Sequence, residues 1–433
     1  MWQTLVNAFK DKSLRIKIFI TLGLLLVYRI GCYIPVPGLD FEVVKSAVTG
    51  DNNTLLQIMN VVSGGSLGSG TLFALGILPF INSFIIMQLL TLIIPPLERM
   101  SKEGDEGRAK ITQITRYVAI LLAIVQGIGI VVTFHNSGAI EETFGSEAVS
   151  GAIIILLLTA GSTFVMWLSE RITEYGIGNG SSMVIFIGII SSFASSLISA
   201  FKTVGENAEN IWYILGYLLL VLLMFLLIVF IDGSERRIKV NYAKQVKGNK
   251  MYGGQSTYIP MKVNGSGVMP IIFASAFLMF PQMILSFFPA DNKVVLFYNQ
   301  YLGPYSSVPV VYYLFTFIFI IFFAYFYAQI QFNPVDVARN LQQYGGTIQG
   351  VRPGKPTSEY LAKINGRITL FGALFLAFIA IVPTFGFQAL GKSVGLSNAF
   401  SATGMLIIVS VALELEKQLE SQIMMRHYKG FLK

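Results

Sequence analysis

Ten runs of roughly twenty apolar residues dominate the chain, at about 16–34, 72–94, 116–134, 151–169, 181–201, 211–231, 267–288, 309–330, 368–386 and 400–416. A helix of that length spans the hydrocarbon core of a bilayer, and in hydrocarbon only a helix or a closed barrel pairs all of its backbone groups. Ten such runs constrain the chain to an all-α, polytopic membrane fold. Composition agrees: 12% of the 433 residues are charged and 54% are hydrophobic, whereas soluble domains carry about 25% charge. The single cysteine, Cys32, leaves no intrachain disulfide and no cysteine-built metal site. The amphipathic start before the first run lacks a small-residue cleavage site, so that run reads as a retained span rather than a signal peptide.

The gaps between spans test the count. With the N-terminus inside, 26 of the 31 Lys and Arg residues fall in inner segments. The outer segments hold four, Lys45, Lys202, Lys293 and Lys392, and Arg29 lies within the first span. That bias follows the positive-inside rule at every alternation, with both termini cytoplasmic. Five spans per half is an odd number, so the halves (1–205 and 206–433) run in opposite senses, as in an inverted duplication. One echo supports it: Gly76-Ile77-Leu78-Pro79 opens the second span and Gly267-Val268-Met269-Pro270 the seventh. Chance is the alternative, since Gly and Pro are frequent in membrane helices.

Enzymatic motifs fail on inspection. Around Gly350-Val351-Arg352-Pro353-Gly354-Lys355-Pro356, a phosphate loop needs glycine at Gln349 and Ser or Thr at Pro356. Gly176-Ile177-Gly178-Asn179-Gly180 follows no strand, so it is not a dinucleotide turn. Gly64-Gly65-Ser66-Leu67-Gly68 matches the nucleophile-elbow spacing, but of the two histidines only His135 lies on its side of the membrane. No catalytic residue, metal site or cofactor is expected. An ion-coupled secondary transporter is the alternative function; such carriers usually bury ionisable groups, and here span middles lack Asp, Glu, Lys and His. Arg29 reads as a structural pairing with a polar neighbour. Two long inner loops, 232–266 and 331–367, carry seven and five Lys or Arg against two acidic residues each. They read either as a solvated face or as a docking surface for an acidic partner, protein or RNA.

Several blocks resemble the bacterial SecY family of protein-conducting channels (SecY/Sec61 alpha). They are Arg29-Ile30-Gly31 with Ile34-Pro35-Val36-Pro37-Gly38, Phe73-Ala74-Leu75-Gly76-Ile77, Gly176-Ile177-Gly178-Asn179-Gly180 and Gln255-Ser256-Thr257 with Pro260 and Lys262-Val263-Asn264. Phe332-Asn333-Pro334 and Val351-Arg352-Pro353-Gly354 complete the set, in family order along essentially the whole chain. The resemblance implies a ten-helix clamshell in two inverted five-helix halves around a central pore, in the bacterial cytoplasmic membrane. Unfolded preproteins would cross it, and signal sequences and apolar segments would leave sideways into the lipid bilayer. It implies SecE, and usually SecG, as membrane subunits, and the SecA ATPase or a ribosome on the cytoplasmic face, with no sequence-specific nucleic acid contact.

Carried over by position, the resemblance puts a pore ring at Ile77, Ile81, Ile185, Ile272 and Ile407. It implies a plug over about 60–70, a short re-entrant helix containing Asn60, Val61, Val62, Ser63, Gly64, Gly65, Ser66, Leu67 and Gly68. It sets a lateral gate near Asn82, Gln88 and Gln126, and docking positions at Arg236, Arg237, Lys250, Arg352 and Lys355.

Overall fold

The structure, a computed structural model, describes residues 9, 11–49, 56, 59–60, 63–141, 145–205, 209–242, 245–247, 250–252, 256–285, 288, 292–303, 309–391, 396 and 402–430. Each apolar run becomes a long helix. In chain order these are α1 (Lys12–Gly31), α3 (Leu78–Ile93), α5 (Asp105–Asn136), α6 (Glu147–Tyr175), α7 (Gly180–Val204), α8 (Asn210–Asp232), α9 (Met269–Leu285), α11 (Pro309–Gln331), α13 (Lys355–Gly391) and α14 (Ala402–Gly430). Short helices intervene: α2 (Phe41–Thr49), α4 (Pro95–Lys102), α10 (Lys293–Phe297) and α12 (Pro334–Gln343). By length and hydropathy, six of the long helices could each cross a membrane, and the α3–α4 pair, bent by 101°, makes a seventh. The others fall short for visible reasons. α9 has only 17 residues, α1 carries Arg15, Lys17 and Arg29, and the second half of α14 is charged.

The helix starts are written in the sequence. Asp11 caps α1 by accepting from Ser13 N–H at 2.9 Å, and Asn179 caps α7 by accepting from Ser181 N–H at 3.0 Å. The Gly176–Gly180 block is therefore the tight turn between α6 and α7, with Gly178 at φ +85°.

Helix packing repeats between the halves. In the first, α1 packs on α6 and α7, α3 on α5, α5 on α6, and α6 on α7. In the second, α8 packs on α13 and α14, α9 on α11, α11 on α13, and α13 on α14. The same five neighbours recur in the same order, which is what an inverted duplication predicts. The halves join where α7 meets α8 and α14. On the opposite side, α3 and α5 make no extensive contact with α9 and α11 among the described residues.

The Gly-x-x-Pro echo is structural as well. Gly76 and Gly267 both take left-handed backbone, at φ +55° and +61°, and each precedes its helix by two residues, with Pro second in the helix. Ile81 N–H donates to Ile77 O at 3.1 Å, and Ile272 N–H donates to Val268 O at 3.2 Å.

Both long loops fold, which an all-α reading does not foresee. Strand β1 (Glu235–Tyr242) lies between β4 (Ser256–Lys262) and β5 (Gly346–Ile348), antiparallel to both; β2 (Gln245–Lys247) and β3 (Lys250–Tyr252) form a separate hairpin. Ile238, Val240, Met261 and Ile348 pack with Leu341 of α12 and Leu361 and Ile364 of α13 into one small core. Period-two alternation over Ile238 and Val240 supplies the apolar face. The loops thus form one α/β unit on the helical body.

Candidate functional site

From Ser63 to Ile77 the chain approaches α3 in turns, interrupted by an isolated bridge at Thr71. Residues 63–70 are consecutive turns, with Gly64, Gly65 and Gly70 at φ between +55° and +88°, a region costly for side-chain-bearing residues. The expected re-entrant helix is therefore confined to the stretch before Ser63, where Met59 and Asn60 are helical; Val61 and Val62 lie outside the described residues. Side chains tie the turns together. Asn60 Oδ1 accepts from Gly68 N–H at 2.7 Å, Ser66 Oγ donates to Ser63 O at 2.9 Å, and Thr71 Oγ1 donates to Ser66 O at 3.0 Å. Ser63, Ser66 and Leu67 are all buried. Leu67 belongs to a core with Val36, Val44, Ala123 and Ile130.

This segment touches the elements that hold the expected ring. Gly64 lies so close to α7 that a Cβ there would sit 2.9 Å from Gly188 Cα, one turn from Ile185. Gly76, next to Ile77, would bring a Cβ to 3.6 Å from Ser63 Cα. All five isoleucines enter one apolar cluster drawn from both halves. Ile77, Ile185 and Ile407 are buried in it, and Ile81 and Ile272 pack against it half-buried.

Two glycines admit the segment into the helical body. A Cβ at Gly31 would meet the Phe73 ring at 1.9 Å, and one at Gly161 of α6 would meet Leu72 O at 2.0 Å. Ser162 Oγ then donates to Gly76 O at 3.1 Å. The sequence reading did not single out Gly31, Gly161 or Ser162 for this role; a small-residue pair in an apolar helix was the available signal.

Gln126 is buried and Gln88 half-buried, and the Oε1 of each accepts no hydrogen bond among the described residues. Asn82 is half-buried at the start of α3. The polar bond actually made on this flank is Ser83 Oγ to Thr115 O, 2.6 Å, joining α3 to α5. Arg29 does have polar neighbours. Its Nη1 donates to Gly64 O at 3.5 Å, its Nη2 to Tyr33 Oη at 3.4 Å, and its guanidinium lies 5.6 Å from the Tyr33 ring centre.

On the loop unit, Arg236, Arg237, Arg352 and Lys355 are exposed. Adjacent in β1, Arg236 and Arg237 leave the sheet on opposite faces. Arg352 O accepts from Thr357 Oγ1 at 2.7 Å, which fixes the turn, while Lys355 reaches Glu359 at 4.0 Å. Lys250 lies in β3, where only the backbone is described. A polar knot fastens the unit to the helices: Asp232 accepts from Asn264 Nδ2 and from Ser410 Oγ, each at 2.7 Å. Nearby, Lys417 faces Glu235 at 3.9 Å. Burial, and then the neighbouring Lys417 ammonium, hold the Lys262 pKa below the ordinary lysine value, while Glu235 and Asp232 pull the other way. Among the described residues no group of three or more His, Cys, Asp or Glu forms a metal site.

A sequence profile of the SecY family matches residues 71–415. The chain is 44% identical over 447 residues to the protein translocase subunit SecY of Streptomyces coelicolor, covering 100% of both. It is 39% identical over 447 residues to the subunit of that name from Mycobacterium tuberculosis, again covering 100% of both. Its fold matches a solved structure described as that of a protein-conducting channel, with a TM-score of 0.66 at 21% identity over 95% of this chain and 93% of the other. It also matches Sec61 in the canine ribosome-channel complex, with a TM-score of 0.63 at 20% identity over the same shares.

Proposed function

The chain belongs to the SecY family, and from that premise we propose how it works as a protein-conducting channel. The observation that supports the reading is one apolar cluster drawn from both halves that includes Ile77, Ile81, Ile185, Ile272 and Ile407, with the glycine-rich segment against Gly188, one turn from Ile185, and against Gly76, next to Ile77. A narrow collar of bulky aliphatics excludes ions because it offers nothing to replace their hydration shell. It also deforms around a passing polypeptide without binding its side chains. Residues of about 60–70 act as a plug against this collar.

The halves hinge where α7 meets α8 and α14 and part between α3/α5 and α9/α11, the side without extensive contact. Asn82, Gln88 and Gln126 line that lateral gate. An apolar segment leaves through it by partitioning into lipid, favoured by roughly 25 cal/mol per Å² of apolar surface. The protein sits in the cytoplasmic membrane with both termini inside, as the distribution of basic residues favours. It is not itself an enzyme; SecA or a ribosome supplies the driving force by docking on the basic loop unit through Arg236, Arg237, Lys250, Arg352 and Lys355. SecE and SecG complete the membrane complex. Full-length identity to translocase subunits leaves the ion-coupled transporter without support.

The test is the joint variant Ile81→Ser with Ile272→Ser. In planar bilayers it is expected to raise resting ion conductance; conductance equal to wild type removes the collar.

A further inference from the structure

Arg29, the charge deepest in the first span, hydrogen-bonds to the plug segment, and so does its neighbour in sequence. Tyr28 Oη donates to Ser63 O at 3.4 Å, and Arg29 Nη1 donates to Gly64 O at 3.5 Å. Consecutive donors of α1 therefore meet consecutive carbonyls of the turn segment. The second arm of the guanidinium reaches Tyr33 Oη, and its face lies against the Tyr33 ring. Its partners are a carbonyl, a phenol and an aromatic face, none of which carries a formal charge.

We propose that Tyr28 and Arg29 form a latch that sets how readily the plug leaves its seat, with Arg29 the positioning residue for that step. The inference rests on the plug reading of residues 60–70. A charge at membrane depth is costly unless backbone carbonyls or polar side chains solvate it. With the segment seated, Gly64 O is the backbone group that does so. When the segment swings away, the guanidinium loses that acceptor, Gly64 O loses Arg29 and Ser63 O keeps only Ser66 Oγ, so displacement is opposed from both sides. Arginine suits the position because its planar fork serves Gly64 O and Tyr33 Oη at once, whereas a lysine ammonium is a single point.

Gly64 makes the geometry possible. With a Cβ it would approach Arg29 Nη1 to 2.8 Å and Gly188 Cα to 2.9 Å, so only glycine lets its carbonyl reach the guanidinium while its Cα rests on α7. On the α7 side the seat is a close glycine-to-glycine approach. The side-chain donors come from α1; the bond from Val36 N–H to Gly70 O at 2.9 Å and the apolar seat of Leu67 hold the far end of the segment, so the two α1 bonds set how readily its Ser63–Gly64 end lifts.

The experiment measures seating directly. In the assembled channel complex in membrane vesicles, Ser69→Cys is labelled with N-ethylmaleimide; protein lacking that change reports any background from Cys32, which is buried. Arg29→Gln is expected to raise the labelling rate about tenfold, the effect of losing one charge-assisted hydrogen bond. Arg29→Lys is expected to fall between Gln and wild type, and Tyr28→Phe to raise the rate less than Arg29→Gln. A purely structural role for Arg29 would not give this graded order. Wild-type labelling in Arg29→Gln overturns the latch; if that variant does not assemble, wild-type labelling in Tyr28→Phe does so. Leakage through the isoleucine collar is scored separately with the Ile81 and Ile272 variants, so failure of the latch and failure of the channel reading are told apart.

Discussion

Gly161→Ala tests whether close backbone approach, rather than side-chain packing, seats the segment leading into α3. The added Cβ would lie 2.0 Å from Leu72 O and 2.9 Å from Leu72 C, and real contacts essentially never fall under 3.0 Å. The carbonyl must therefore retreat by at least 1.0 Å, from 2.0 to 3.0 Å. It is backbone and cannot rotate away. It is also pinned on either side: Leu72 N–H donates to Ile34 O at 2.9 Å, and Ser162 Oγ donates to Gly76 O at 3.1 Å. Overpacking of this kind costs about 1–3 kcal/mol, and one loosened hydrogen bond adds roughly 0.5–1.5 kcal/mol, so a loss of about 2–4 kcal/mol is expected. Thermal unfolding of the purified protein reads it as a midpoint lowered by several degrees. The same displacement moves Ile77, five residues on, so resting ion conductance should rise as well. Gly23→Ala is the control, because a Cβ there meets nothing within 4 Å. If Gly161→Ala matches Gly23→Ala in both measurements, the close approach does not seat the segment.

Two further outcomes concern the polar knot under the loop unit. Asp232→Leu strands Asn264 Nδ2 and Ser410 Oγ, each of which donates at 2.7 Å; a destabilisation of about 2–4 kcal/mol is expected, read by chemical denaturation, and an unchanged midpoint would show the knot to be ornamental. Lys262 has its pKa lowered by burial and by Lys417. Between that lowered value and the ordinary one the unfolded chain binds more protons, so stability should rise with pH across the window and fall as pH drops through it. Lys262→Met is expected to flatten that slope in thermal scans taken below the ordinary lysine pKa of about 10.4; a slope unchanged from wild type would assign the pH dependence to other groups.

The sequence by itself determined the ten helices, because a bilayer-length apolar run has one economical backbone solution and the count is checked by the sidedness of Lys and Arg. It also carried the Gly-x-x-Pro echo, since a left-handed glycine and a proline at the second helical position are local requirements visible as letters. Tertiary structure alone decided the rest. The four glycines of Ser63–Gly70 are a legible turn signal that the short-helix reading passes over, but where those turns lodge falls to contacts with Tyr28, Arg29 and Gly188 that lie far away in sequence. The sheet in the long loops was illegible for the same reason: β1 pairs with β5 across about a hundred residues, and short strands gain stability only from that distant partner and from the helices beneath. Arg29 shows the division at one residue. Its charge within an apolar run marked it in the sequence, but only the fold brings a carbonyl of the plug to its guanidinium.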